Sequence, residues 1–191
     1  MTDPNFRIET DRLYISYCLP TSPTHCAFLV QLYNSPSFIA TCGNTGITTT
    51  EQAKAFIEKR FVATHARHGH GQYLVSLKET SKHVGIVSLM KGDSPEQSYP
   101  VPDVGFAMLP EVSGQGYATE AARKLLDYAS EVLGVKEVFG FTDAKNTASR
   151  RVLEKLGLED RGVHLLRVFN FEASSVYTSP SMVDLKAYGI E

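Results

Sequence analysis

Residues 113–119 read Ser-Gly-Gln-Gly-Tyr-Ala-Thr, a run of small residues that passes directly into a helical pattern. The chemistry such a turn can do is anion capture. A helix N-terminus carries four backbone N–H groups without intrahelical partners and roughly half a positive charge, so a phosphate is drawn to it. Gly114 and Gly116 remove side chains and Ala118 keeps the first turn slim. The amides of Gln115, Gly116, Tyr117, Ala118 and Thr119 are then able to converge on one phosphate or on a pyrophosphate.

Spacing separates the known designs of this kind. A Walker-type loop needs Gly, four residues, then Gly-Lys-Ser/Thr, and no lysine follows these glycines until Lys124, inside the helix. The dinucleotide fingerprint GxGxxG requires a third glycine where Thr119 stands, and Pro110-Glu111-Val112-Ser113 intervenes between strand and turn. A glycine turn that serves only to pack a helix on a sheet stays open as the plain alternative. The second cluster with chemical potential is HARHGH, which offers His65, His68 and His70. No cysteine or carboxylate of fitting spacing joins them, and cationic residues at a helix end before Gly69 are favoured by the dipole alone, so no metal site is expected.

The elements that must position the turn follow from hydrophobic period and punctuation. RLYISYCL (12–19) reads as a strand. Ser22-Pro23 and Ser35-Pro36 each give a cap residue with proline at the first helical position, predicting two short helices. Thr49 to Gln52 forms a capping box, and Ala53, Phe56, Ile57 and Phe61 then share one face of a longer helix ending near Gly69. QYLVSLK (72–78) and HVGIVSLM (83–90) predict an antiparallel hairpin, and a Ser- and Pro-rich loop from Gly92 to Pro102 leads into the strand DVGFAML (103–109). The glycine turn comes next, then a helical apolar face from Ala118 to Leu133 that Gly134 ends. KEVFGFT (136–142) predicts a strand and NTASRRVLEKLG (146–157) a helix capped by Asn146 and stopped by Gly157. RGVHLLRVFNF (161–171) and MVDLKAY (182–188) read as two closing strands. This order is that of one α+β domain with a mixed, mainly antiparallel central sheet flanked by helices.

Composition narrows the partners. A 191-residue chain with 42% hydrophobic residues suffices for one domain with a core. A formal charge of -2, with no run of Lys or Arg longer than two, predicts no nucleic-acid partner. No stretch approaches the ~18 apolar residues of a membrane span. Three scattered cysteines, Cys18, Cys26 and Cys42, together with a start lacking a cationic, apolar leader, lead us to expect a cytoplasmic protein without membrane attachment.

The segment DVGFAMLPEVSGQGYATEAARKLLDYA resembles motif A of the GCN5-related N-acetyltransferases (GNAT), and TDAKNTASRRVLEKLGLEDRG resembles their motif B; element order matches over residues 10–188. The Rim-type ribosomal-protein N-terminal acetyltransferases are the nearest in pattern. The resemblance implies a GNAT-like domain at 10–188 that binds acetyl-coenzyme A in a cleft where strands 103–109 and 136–142 splay apart. It implies that the pantetheine pairs with backbone of Met108 and Leu109, that the pyrophosphate sits on the 115–119 amides behind Gly114, and that Asn146 and Ser149 contact the cofactor across the cleft. Both are also ordinary helix-start residues, and Arg150 and Arg151 suit a solvated face as well as a phosphate.

Acetyl transfer to an amine needs a base, which the resemblance places at Asp103, as base or as anchor of the amine; its plain alternative is a loop-end residue. Asp143 and Glu120 are weaker candidates. Two positions depart from the family pattern: Ser113 replaces Arg or Gln at the head of the turn, and Leu153 stands where many relatives carry a thiolate-protonating Tyr. The acceptor pocket is expected around Asn34–Gly46 and Glu172–Ser181, with Phe38 and Tyr177 able to line it. The resemblance implies a primary amine as acceptor, on a protein N-terminus or a small molecule, and the chain is expected to act as monomer or homodimer. A silent coenzyme A binding domain, acting as sensor or scaffold, is the alternative.

Overall fold

The computed structural model describes residues 3–92, 94 and 98–191, so the expected loop at Gly92–Pro102 falls partly outside the described residues. One sheet of eight strands organises the chain in the order β1-β2-β3-β4-β5-β6-β8-β7. The strands are β1 (Arg7–Glu9), β2 (Leu13–Tyr17), β3 (Gln72–Leu77), β4 (His83–Met90), β5 (Asp103–Met108), β6 (Phe139–Thr142), β7 (Glu159–Leu166) and β8 (Glu172–Thr178). Every neighbouring pair is antiparallel except β5 and β6, which run parallel.

The helices begin where the caps predicted. In α1 (Pro23–Tyr33) and α2 (Pro36–Cys42) the Ser22 and Ser35 hydroxyls accept from the third amide of each helix. The Thr49–Gln52 capping box opens α3 (Thr50–Phe56), which continues through a π-helical stretch (Ile57–Val62) into α4 (Ala63–His68) and stops at left-handed Gly69. α5 (Tyr117–Glu131) lays Ala121, Ala122, Leu125 and Ala129 on β4 and β5, and α6 (Thr147–Lys155) follows β6. The main core gathers the buried side chains of β2–β5, α1, α3 and α5; a smaller cluster of Tyr99, Phe139, Leu166, Val176, Met182 and Ile190 lies beyond β6.

Four expectations need correction. The strand expected over 136–142 begins only at Phe139. The last strand is β8, at 172–178, inside the stretch expected to form an acceptor loop. The 161–171 strand stops at Leu166 because the chain reverses through a 3₁₀ turn at Arg167–Phe169 and left-handed Asn170 and Phe171. Residues 182–188 do not form a strand: Asp184 caps a 3₁₀ turn at Leu185–Tyr188, and Met182, Leu185 and Tyr188 recur at the three-residue spacing that brings side chains of such a turn onto one face.

The one parallel contact positions the site. β5 and β6 share a single register pair, Asp103↔Phe139, reinforced where the Phe139 N–H donates to Pro102 O (2.9 Å). Beyond it β6 follows β8, from Phe139↔Thr178 to Thr142↔Ser175, while β5 stays with β4 from Asp103 to Met108. From Val104 onward β5 is therefore paired on one side only, and the sheet opens into a cleft.

Candidate acyl-transfer site

The cleft holds a cavity of about 600 Å³. One wall is β5 itself, Val104 to Ala107; the opposite wall is Phe141, Thr142, Asp143, Lys145, Asn146, Ser149 and Leu153 from β6 and the start of α6. The far end is closed by Tyr33 of α1, Phe38, Ala40, Thr41 and Cys42 of α2, and Gln72, Ile86 and Ser88 from β3 and β4. Of the acceptor segments expected from sequence, the α2 one lines the cavity and the 172–181 one does not. Tyr177 is fully buried within the sheet, where its hydroxyl accepts from Arg150 Nε (3.0 Å) and faces Asp160 and Glu154.

Asn146 caps α6 through its Oδ1, which accepts from the Ser149 N–H (3.0 Å), and both residues also face the cavity. The capping and ligand-facing roles coexist, because the cap uses only the oxygen of the Asn146 carboxamide. Leu153 is buried and packs onto the bare backbone of Gly140, where a Cβ would stand 2.5 Å from Leu Cδ2. Arg150 is bound to Tyr177 and Asp160 and is not directed at a phosphate.

Asp103 stands at the point where β5 and β6 part, one residue before the cavity-lining Val104. Burial pushes its carboxyl up to about 7, against the lowering effect of its own backbone N–H. A carboxylate with that value is half ionised at neutral pH and is matched to proton transfer there. Glu120, the weaker candidate, is committed elsewhere. Burial would raise its pKa, but bonds from Thr10 Oγ1 (2.5 Å) and from the Arg12 side chain (Nε 2.7 Å) and backbone hold it below the usual range. Asp143 lines the cavity and accepts from the Lys145 N–H (2.7 Å).

The glycine turn lies at the head of α5. Gly114 (φ +79°) and Gly116 (φ +82°) are both left-handed, a conformation that side-chain-bearing residues adopt only with strain. The first amide to bond back is that of Glu120, to Gly116 O (3.0 Å). Among the described residues the amides of 115–119 have no protein acceptor. Arg12 fixes this turn from the bend between β1 and β2: its guanidinium pairs with Glu120 (2.6 Å), donates to Gln115 O (3.1 Å) and stacks on the Tyr117 ring (4.4 Å to its centre). Sequence reasoning missed that brace, since Arg12 and Glu120 lie 108 residues apart.

The geometry thus brings Asn146 and Ser149 into one cavity with Val104 to Ala107 of β5, whereas Asp103, paired with Phe139 just before that stretch, is not among the residues that line it. Met108 ends β5 and Leu109 follows it, both outside the cavity lining; the Leu109 N–H is taken by Val84 O (2.9 Å) and its carbonyl accepts from the Val112 N–H (3.1 Å), so of the two only Met108 can offer backbone to a ligand. The turn 114–119 sits beyond the cavity wall at the helix end.

The sequence model described as Acetyltransferase (GNAT) domain matches residues 19–159. The chain belongs to the GNAT acetyltransferase family. Curated GNAT relatives include the Aspergillus fumigatus "FsC-acetyl coenzyme A-N(2)-transacetylase", 44% identical over 68 residues, which are 36% of this chain and only 27% of that protein. An uncharacterized N-acetyltransferase of Bacillus subtilis, YoaA, is 22% identical over 89% of this chain and 91% of its own length. Among solved GNAT structures, that of RimL, a ribosomal L7/L12 alpha-N-protein acetyltransferase in complex with coenzyme A, superposes with a TM-score of 0.71 at 15% identity, covering 91% of this chain and 97% of that one. As a GNAT protein the chain is an acyltransferase, and its open, eight-stranded mixed sheet is the fold of that family.

Among the described residues no group of three or more His, Cys, Asp and Glu is placed to hold a metal. In the histidine cluster, His65 Nε2 meets Gln72 O (2.8 Å) and His70 Nδ1 meets Leu89 O (2.9 Å). No helix among the described residues is long and apolar enough to cross a membrane.

Proposed function

We propose that the domain at residues 10–188 transfers an acetyl group from acetyl-coenzyme A to a primary amine, on a protein N-terminus or a small molecule. The observation that carries this reading is the parting of β5 and β6 after one register pair, which opens a one-sided strand edge into a cavity beside an unpaired helix N-terminus. These residues fit the cosubstrate. The edge from Val104 to Met108 offers backbone groups to an amide-bearing arm, while Leu109, expected to join it, spends its N–H on Val84 O and its carbonyl on the Val112 N–H. The 115–119 amides, held by Arg12, offer a positive cradle to a pyrophosphate, and Asn146 and Ser149 close the opposite wall. When bound, the cosubstrate supplies an activated acetyl thioester.

What the chain itself must do is deprotonate the amine and steady negative charge. Asp103, near 7, takes the proton directly or through one water; a strand amide near Met108 is the donor for developing oxyanion charge. No side-chain acid faces the departing thiolate at 153, and a thiol ionises readily enough to leave without one. The N(2)-transacetylase and alpha-N-protein acetyltransferase named above support an amine acceptor. Three free cysteines suit a cytoplasmic enzyme, acting as monomer or homodimer.

Incubation with acetyl-coenzyme A and a panel of primary amines, following free thiol, tests the reading. Amine-dependent thiol release is expected. Tight coenzyme A binding with release no higher than the amine-free background would make the chain a silent binding domain instead.

A further inference from the structure

The cavity marks out one face of the sheet. Ile86 and Ser88 of β4 line it, while Val87 and Leu89, which alternate with them, do not. Ile86 is in register with Ala107, Ser88 with Gly105 and Met90 with Asp103, and Gln72 of β3 extends the Ser88–Gly105 row. Partners in register share a face, so Asp103, Gly105 and Ala107 all belong to the face that carries the cavity. Asp103 nevertheless stands outside the cavity lining. A proton leaving an amine in the cavity therefore needs a carrier to reach that carboxyl.

Ser88 stands where that carrier has to be. Its hydroxyl leans over the bare backbone of Gly105, where a Cβ would stand 2.7 Å from Ser88 Oγ. No other atom beyond the chain neighbours lies within 4 Å of that point, so the space over Gly105 is otherwise open, and Gly105 itself lines the cavity. Among the described residues Ser88 Oγ has no hydrogen-bond partner, yet it is not one of the unpartnered polar atoms sealed from solvent. It keeps accessible surface, on the face where the cavity lies. A hydroxyl both accepts and donates, so it can take up one proton while giving up another. Ser88 and Asp103 are diagonal neighbours across β4 and β5, roughly 7–8 Å apart along the backbone. No direct bond joins them, and two short side chains with one water between them span that distance. Alanine at 88 would fill the row over Gly105 equally well, so packing alone does not call for the hydroxyl.

We propose that Ser88 is a catalytic residue whose hydroxyl carries the proton from the acceptor amine in the cavity, through one water, to Asp103. This rests on the acetyl-transfer reading above. An N–H bond of the ammonium breaks as its proton passes to Ser88 Oγ. The serine gives its own proton to the water, and the water gives one of its protons to the Asp103 carboxylate. Serine and water end as they began, the carboxylate ends as the acid, and the electron pair freed on nitrogen attacks the thioester carbon.

The test is a double-mutant cycle with Ser88→Ala, Asp103→Asn and the two combined. It is run by thiol release on whichever amine of the panel the wild type acetylates fastest, with alanyl-alaninamide, propylamine and spermidine among them. Ser88→Ala should lower kcat about tenfold or more, while KM and the coenzyme A affinity read by calorimetry stay within about threefold. The double variant should stay within about threefold of Asp103→Asn alone, because both substitutions break one path. A Ser88→Ala protein with wild-type kcat, or losses that multiply in the double variant, would overturn the relay and leave acetyl transfer standing. Thiol release by the wild type no higher than the amine-free background with every amine of the panel would overturn acetyl transfer, and the relay with it.

Discussion

Replacing Asp103 by Asn should slow the reaction and stabilise the protein at the same time, in a pH-dependent way. Burial lifts the carboxyl from an ordinary 3.8 to about 7. Between those values the folded chain binds a proton that the unfolded chain has released, so the stability tied to Asp103 is fully present below about 3.8 and is lost as pH rises through about 7. Three pH units correspond to roughly 4 kcal/mol as a ceiling. Asn also needs hydrogen-bond partners, so a gain of about 1–3 kcal/mol is expected above pH 8, or roughly 3–10 °C in Tm for a domain of this size. Below pH 4 the variant should show no gain. Turnover should fall about 10²- to 10⁴-fold, and the wild-type rise in kcat/KM with an apparent pKa near 7 should disappear. Thermal melts from pH 4 to 9 together with pH-rate profiles of both proteins check this. A variant with wild-type turnover, or one whose Tm difference does not change with pH, would refute the reasoning.

Gly116→Val should weaken coenzyme A binding at least tenfold by calorimetry; because Gly116 is left-handed, the substitution also costs about 1–2 kcal/mol, so binding is measured where circular dichroism shows a folded chain, and unchanged affinity there would remove the turn from the cofactor site. Leu153→Tyr should leave turnover within a few-fold of wild type while lowering stability by about 1–3 kcal/mol through overpacking against Gly140, and a tenfold gain in rate would show instead that thiolate protonation limits the native enzyme. Burial, with His83 beside it, lowers the His25 pKa to about 4, and its Nδ1 accepts from the Leu19 N–H (2.9 Å). Stability held by neutral His25 is present above about 6.5 and lost as pH falls through about 4, so His25→Gln should flatten the acid limb of the melting curve in that window; an unchanged limb would contradict it.

Local signals in the sequence carried much of this structure. Ser22, Ser35 and Thr49 announce helices because a cap is a contact between near neighbours. The strand, turn and helix around Gly114 and Gly116 were legible for the same reason. β1 escaped notice because three residues show no period. β8 escaped notice because its buried members include Ser174, Ser175 and Thr178, small polar residues enclosed between β6 and β7 that look like loop in a linear reading. The Arg12–Glu120 brace and the Gln72–Ser88–Gly105 row depend on sheet register, which no local pattern encodes. Asp103 was singled out by resemblance to a family; its burial and raised pKa came only with the fold.

Amide resonances followed on titration with coenzyme A test the central claim most directly. The account predicts the largest shifts at Gln115 to Thr119, at Val104 to Met108 on the open edge of β5, and at Asn146 and Ser149. Saturating binding that leaves the 115–119 amides and the β5 edge unmoved would contradict it.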